Sequence, residues 1–478
     1  MWDSEEESYT LQWKTRGRRL TPAEKEPEAT MSRVAPTCVV GVLLSILSAV
    51  SYAQQPSPQQ PPFTNFERER AVQMLDTISS DIKKHYYDPK FHGLDWDARV
   101  KEAKDRIEKS TTQNMALSHI AGALADLNDS HTFMLPPARP YVLDYGLQFQ
   151  MMGDKCLVTR VRPGSDAESK GIKPGDQVLS VGGFQPTREN LWQMEYVLHT
   201  LRPQTSLRLD LRTPSGEQRQ VEAMAKFREL QRIKDLSGSS GGGDIWDLYR
   251  AREDAWRLHR ARFVEVGDEL MILKFPSFEF SESEVQDWIN RAHRHRAMII
   301  DLRENGGGAV VTLKYLLEGL FEDNVKVADR VSRKDTKPLL EKFHPHNPFG
   351  GKLVVLVDSQ SASAAEIFAR VIQLEKRGTI VGDVSSGKVM ESRQYSYAVG
   401  MGVTVFYGAS ITEADVIMGD GKSLENGGVT PDALVVPAPA DLAAGRDPVL
   451  ARAAEMLGVK MSPEDAGKLF PYEWPKVE

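Results

Sequence analysis

Cysteine is almost missing from this chain: its 478 residues include two, Cys38 and Cys156. Cys38 lies in an apolar run expected to be removed, which leaves a single thiol. Neither a disulfide framework nor a cysteine-based metal site can then be built. Cys156 sits in the strand-like run 155–159, where a small buried hydrophobe is its natural role and a nucleophile is a poor fit. An excess of positive charge is missing too. The formal net charge of −7 speaks against a nucleic-acid partner, which calls for a basic face. The apolar run 34–50 stops short of the roughly 20 residues that a membrane-spanning helix needs. No long internal repeat is present, and no Gly-Lys-Ser/Thr follows the one glycine-rich loop, which rejects a phosphate-binding P-loop.

What is present suits a folded protein of two or three domains at about 150 residues each: 41% hydrophobic and 27% charged residues. The run 34–50 follows Met31-Ser-Arg33 and ends at Ser51-Tyr-Ala53, small residues where a signal peptidase reads; 54–62 is a polar, proline-rich exit. That layout predicts a secretory signal peptide over 31–53 and an exported protein, periplasmic or extracellular. A retained segment would leave it membrane-associated. Residues 1–30 are highly charged and lack that layout, so translation is expected to begin at Met31, with 1–30 untranslated or disordered.

After a linker (54–65), helical spacing of Val72, Leu75, Ile78, Ile82 and Tyr86, then Ala103 and Ile107, then Leu117, Ile120, Leu124 and Leu127, predicts a helical domain over 66–138. Over 141–228 the pattern changes to short strands around Leu147/Phe149, Leu157/Val158/Val161, Val178/Val181 and Leu207/Leu209/Leu211, with one helix near 189–201. Ser237-Gly-Ser-Ser-Gly-Gly-Gly243 predicts a flexible linker, bounded as 236–243. Beyond it, unbroken apolar runs at 270–273, 298–300, 353–357 and 379–381 alternate with helical stretches at 283–293, 311–320 and 362–374. Such alternation predicts an α/β layered core over 244–438, followed by a helical tail, 439–478.

Three local features carry chemistry. Asp358-Ser-Gln-Ser-Ala-Ser-Ala-Ala-Glu366 lies between a strand and a helix, where a serine hydroxyl can stand beside free helix N–H groups able to hold an oxyanion. Plain capping by Ser359 or Ser361 is the alternative reading of that segment. Ile299-Ile-Asp-Leu-Arg-Glu-Asn-Gly-Gly-Gly308 runs a buried strand into glycines, which serve either close backbone approach to a ligand or a tight turn. Lys388 ends Val381-Gly-Asp-Val-Ser-Ser-Gly-Lys388; a buried lysine loses its proton readily and can act as a base, although most lysines are solvated. His259, His293 and His295 lie among arginines and read as solvated faces.

In kind and order these three features resemble the C-terminal processing (tail-specific) serine proteases. The resemblance implies a crotonase-like layered core, Ser363 as nucleophile and the amides of Gly308 and Ala364 as an oxyanion hole. It implies no metal or organic cofactor. Tyr86-Tyr-Asp88, Trp96 and Asp129-Ser-His-Thr132 look like that family's helical domain, and Leu424-Glu-Asn-Gly-Gly-Val-Thr-Pro-Asp432 resembles its C-terminal part. Tyr145-Gly-Leu-Gln-Phe149, with 163–167 and 171–178, resembles a PDZ domain whose loop Gly146, Leu147, Gln148 and Phe149 would hold a peptide's terminal carboxylate. The base has two readings. Lys388, 25 residues after Ser363, matches the dyad branch, but Ser392 and Leu374 stand where that branch has a glutamine and an acid. Ser130-His131 with Glu425 matches the tricorn-like branch. The implied function is an exported endopeptidase acting on proteins bound by their C-termini, with an adaptor or a homo-oligomer left open. An inactive PDZ scaffold and an acyl-CoA enzyme on the same core are the competing readings.

Overall fold

The computed structural model describes residues 63–139, 141–229, 260–340, 344–345, 347–400 and 404–475. The expected leader, residues 1–30 and the linker 236–243 lie outside these, as does His259. Among the described residues no helix is long and apolar enough to cross a membrane.

Three helices open the described chain: α1 (Asn65–His85), α2 (Trp96–Glu108) and α3 (Gln113–Ala125). Thr64 caps α1 in a reciprocal box with Glu67, so the helix starts one residue earlier than the apolar spacing suggests. Their apolar stripes meet around Leu75, Ile78, Ile82, Ala103, Ile107, Ile120 and Leu124, all fully buried. The Trp96 indole donates to the Ser79 hydroxyl at 3.0 Å, which satisfies its one polar atom inside that core.

After α3 come β1 (Phe133–Leu135) and the short strand β2 (Tyr141–Asp144). The next unit is an antiparallel meander: β3 (Leu147–Met152), β4 (Lys155–Val161), β5 (Gln177–Val181), β6 (Ser206–Arg212) and β7 (Gln218–Met224), in that order across the sheet. Helix α4 (Leu191–Tyr196), continued by a wider turn over Val197–Leu201, crosses between β5 and β6. A further strand, β8 (Lys226–Glu229), pairs with β2 outside the meander. Cys156 is buried among Phe149, Met151, Val158 and Leu209, and burial pushes its thiol far above the ordinary range.

The third unit is built on a six-stranded sheet. Its members are β9 (Arg262–Val266), β10 (Leu270–Lys274), β11 (Ala297–Asp301), β14 (Lys352–Val357), β15 (Thr379–Gly382) and β18 (Ala433–Leu434). All neighbours run parallel except the edge pair β9/β10. Because strand side chains alternate, these unbroken apolar runs serve two cores. Met271, Leu273, Met298, Ile300, Leu353 and Val355 face α5 (Glu282–Ala292), α6 (Val310–Glu318) and α7 (Ala364–Leu374). Ile272, Ile299, Val354 and Leu356 face α8 (Pro448–Met456) on the other side. The consequence for chemistry is positional. The loops leaving β11, β14 and β15 emerge side by side at the carboxyl edge of one parallel sheet, where open α/β sheets hold their ligands.

The pattern did not announce a second sheet. Its spine is a long hairpin, β16 (Met390–Val399) and β17 (Val405–Met418), flanked by β12 (Ala328–Ser332) and β13 (Thr336–Pro338). β1 joins the middle of β17, with Phe133 opposite Ser410. The helical unit therefore shares its core with Tyr407, Ala409 and Ile411 of the hairpin. Two further expectations need correcting. The tail is helical only to Ala466 and then runs without helix over 470–475, because Pro471 and Pro475 disfavour a helix there. His295 is no solvated residue: its side chain is 5% exposed, with Nε2 3.3 Å from the Glu265 carboxylate. His293 does stand exposed, against the Asn347 carbonyl at 2.8 Å.

The buried ring of Phe368 ties α7 to Phe278, their centroids 6.2 Å apart. Phe368→Ala is expected to destabilise the third unit by about 3–5 kcal/mol, read as a lower urea midpoint at unchanged slope.

Candidate active site

The loop leaving β14 turns sharply into α7 at Ser363, whose φ of 56° and ψ of −121° lie where L-residues are strained. Several bonds hold the strain. The Ser363 amide donates to the Lys388 carbonyl at 2.9 Å and to Glu366 Oε2 at 3.2 Å. Glu366 is fully buried, and its two oxygens also accept from Ser385 Oγ (2.6 Å), Gly387 N (2.7 Å) and Lys388 N (2.9 Å). Burial raises its pKa, while these four donors favour the anion. One carboxylate thus fastens the β14 turn to the β15 loop.

The β11 loop approaches the same turn. Buried Asn305 donates to the Phe275 carbonyl at 2.7 Å and accepts from the Gly307 amide at 2.8 Å, while its own carbonyl takes the Ala362 amide at 2.9 Å. A Cβ on Gly307 would lie 2.7 Å from that of Ser363, so only glycine permits this approach. A single parallel bridge couples Phe278 to Gly308: Phe278 N donates to Gly307 O, and Ala309 N donates to Phe278 O. That bridge turns the Gly308 amide to the opposite side. Among the described residues neither it nor the Ala364 amide, first in α7, donates to a protein acceptor. Two free amides beside a serine can hold an oxyanion.

The four residues of the two base readings lie around the same loops. The Ser130 hydroxyl sits 2.7 Å from His131 Nδ1 and donates to Glu425 Oε2 at 3.0 Å. With its proton on Glu425, Ser130 accepts from Nδ1–H, which leaves Nε2 as the basic nitrogen. Glu425 also accepts from the amides of Ser130 (2.8 Å) and Val389 (2.9 Å), next to the Lys388 carbonyl that holds Ser363. Burial pushes the Glu425 carboxyl up to about 7 against these donors. Burial also lowers the His131 imidazole; Asp129 opposes this and the Lys388 charge adds to it. Asp129 shapes the turn by accepting from His131 N, Thr132 N and Thr412 Oγ1.

Lys388 is placed differently. Its ammonium lies 5.1 Å from the centre of the Trp192 ring on α4, a contact that favours the charged form. Among the described residues no acceptor hydrogen-bonds it. Burial lowers its pKa, opposed by the charges of Glu195, Glu366 and Glu425. Lys388, Trp192, Glu195, Ser130, Gly306 and Ala362 all line one cavity of about 710 Å³ between the three units. Burial pushes Glu195 up to about 7 there.

Of the expected carboxylate loop, Gly146 directly precedes β3, and Leu147, Gln148 and Phe149 are the first residues of that strand, paired on one side with β4. The Gly146 amide donates to Asp144 Oδ1 at 2.9 Å. The sequence pattern also passed over Glu366, Asn305, Asp129 and Trp192. Asn305, directly before three glycines, carried an Asx-turn signal; the others act through contacts distant in sequence.

Comparisons with known proteins agree in kind. Residues 269–435 match the model of peptidase family S41, 67–114 that of the tricorn protease C1 domain and 143–211 that of the PDZ domain. A tail-specific protease of Haemophilus influenzae is 28% identical over 349 residues, covering 63% of this chain and 46% of the relative. The carboxy-terminal processing protease CtpA of Bacillus subtilis is 24% identical over 344 residues, covering 68% and 65%. The chain thus spans less than two thirds of the length of these relatives. Among solved structures, mature CPAF complexed with lactacystin superposes with a TM-score of 0.58 at 16% identity, covering 79% of this chain and 95% of the other, a likeness of fold.

Two outcomes follow from this geometry. A Cβ at Gly308 would meet the Phe278 backbone at 2.6 Å, so Gly308→Ala is expected to lower kcat about 10²–10³-fold with the fold intact by circular dichroism. Because only the Glu425 anion offers both oxygens as charged acceptors and can stabilise a charge on His131, kcat/KM should climb as pH rises through about 7 and fall below it. Glu425→Gln should remove that limb, which a pH profile of the two enzymes would read.

Proposed function

We propose that the chain is a serine endopeptidase of peptidase family S41, whose model matches residues 269–435, that it carries a PDZ domain over 143–211, is exported, and works through an acyl-enzyme on Ser363. The Ser363 hydroxyl attacks the scissile carbonyl, and His131 Nε2 takes its proton. The amides of Gly308 and Ala364 receive the oxyanion. His131 then protonates the leaving amine, and a water deprotonated by the same nitrogen releases the acyl group.

The observation that carries this reading is the hydrogen-bonded line from Glu425 through Ser130 to His131. It fixes the tautomer and stabilises the imidazolium, the task of the third member of a serine triad. Lys388 has no such support, and its place over an indole suits an ammonium. We assign it to holding the loop and charging the cavity. The parallel sheet covered on both faces is consistent with a crotonase-like core. The leader expected over 31–53 from the sequence is the ground for export. The edge of β3 offers the place where a substrate adds as a strand.

The test is turnover of an unstructured protein by four enzymes: unsubstituted, Ser363→Ala, His131→Ala and Lys388→Met. Ser363→Ala and His131→Ala should each lose at least about 10³-fold in kcat, while Lys388→Met stays within about tenfold. An active His131→Ala beside a dead Lys388→Met would transfer the base to Lys388. An unsubstituted enzyme that cleaves nothing would sink the peptidase reading.

A further inference from the structure

We infer that Arg160, Arg162, Arg260 and Arg262 form one docking surface shared by the PDZ unit and the parallel-sheet core, and that its occupant is this chain's own segment 470–475, which straps the two units together. The strap goes beyond the peptidase reading and does not depend on it. Arg160 lies in β4, and Arg162 follows that strand's last residue. Between them Val161 packs against the meander's core, so both guanidinium groups turn away from it. On the other unit Arg262 opens β9, the edge strand of the parallel sheet, and Arg260 stands two residues before it.

The segment Phe470-Pro-Tyr-Glu-Trp-Pro475 fits this row residue by residue. It is not helical, and in an extended chain every second side chain falls on one side. Phe470, Tyr472 and Trp474 each take one arginine, with the guanidinium of Arg262, Arg160 and Arg162 at 5.6, 4.1 and 4.6 Å from the respective ring centres. The Tyr472 and Trp474 rings themselves meet edge to face at 5.1 Å. Between them Glu473 pairs with Arg260 at 3.2 Å and reaches Arg262 at 3.9 Å. The main chain is gripped as well. The Pro471 carbonyl accepts from Arg262 at 2.8 Å, the Pro475 carbonyl from Arg162 at 2.9 Å, and the Tyr472 hydroxyl from Gln148 Nε2 at 2.7 Å. An arginine can stack on a ring and donate in its plane at once, which a lysine cannot.

Six residues thus touch both units. Exposed ion pairs alone would hold them weakly. Here Pro471 and Pro475 restrict the segment before it docks, which lowers the ordering cost, and the contact is intramolecular. The joint also lies close to the glycine loop. Arg160 pairs with Glu304, four residues before Gly308, and Tyr472 and Glu473 wall a cavity of about 620 Å³ that Gly306, Gly307 and Gly308 line too.

The experiment is scanning calorimetry of the full chain carrying Ser363→Ala, which keeps the sample intact. In this parent the PDZ unit and the core should unfold in one transition. With Tyr472→Ala and Trp474→Ala added, a separate transition of the PDZ unit should appear at least about 4 °C lower, identified by loss of amide protection in β6. Phe470, part of the core, stays in place. Arg160→Lys keeps a cation for Glu304 but loses the stacked plane, so it should also separate the transitions. Combined with Tyr472→Ala, it should widen the gap no further than the larger single change does. One transition persisting in the Tyr472→Ala, Trp474→Ala chain overturns the strap, as do two transitions in the parent. Fully additive effects of Arg160→Lys and Tyr472→Ala overturn the docking surface. If the double tail variant does not fold, the Arg160/Tyr472 comparison decides alone.

Discussion

The Glu366 carboxylate is the bond on which the catalytic region depends. It collects the amides of Ser363, Gly387 and Lys388 and the hydroxyl of Ser385, all in a site closed to water. A buried anion with four donors is far better placed than one with fewer, since each missing donor would leave charge unsolvated in a medium of low dielectric. One of those bonds, with that from the Ser363 amide to the Lys388 carbonyl, holds Ser363 at a backbone geometry it would not adopt alone. The strain that presents the hydroxyl and the electrostatics that lock two loops together are therefore one arrangement.

Around that anchor the site draws on two different sheets. The parallel sheet supplies the serine and both free amides from neighbouring strand ends. The antiparallel hairpin supplies the seat for the histidine turn, through Thr412, which holds Asp129, and through the pairing of β1 with β17. Two acids then sit in distinct surroundings. Glu366, closed in by donors, serves structure; Glu425, with fewer donors and a pKa near neutrality, can answer to the state of Ser130 and His131.

Much of this was legible from local pattern. The buried parallel strands read clearly because both their faces are apolar, and the helices between them follow from spacing. The serine motif, the glycine loop and the Ser130-His131 pair were visible as residues. Their ranking was not, since no spacing can say that Ser130 bridges His131 to Glu425, 295 residues away. The β16–β17 hairpin went unread although its middle alternates, with Tyr407, Ala409 and Ile411 turned to one core; an irregularity at Glu391/Ser392 breaks the period on its first strand. Which face of α4 would meet Lys388 depended on how two units dock, and local sequence does not encode that.

The separation of Ser130 from Glu425 along the chain bears on how such an enzyme is made. Synthesis runs from the amino end, so the histidine turn emerges early and the serine and Glu425 come much later. Until the hairpin has folded there is nothing to seat the histidine, and until Glu425 follows nothing orients it. On the proposed reading, the catalytic set closes only once synthesis has passed Glu425 and the hairpin has folded.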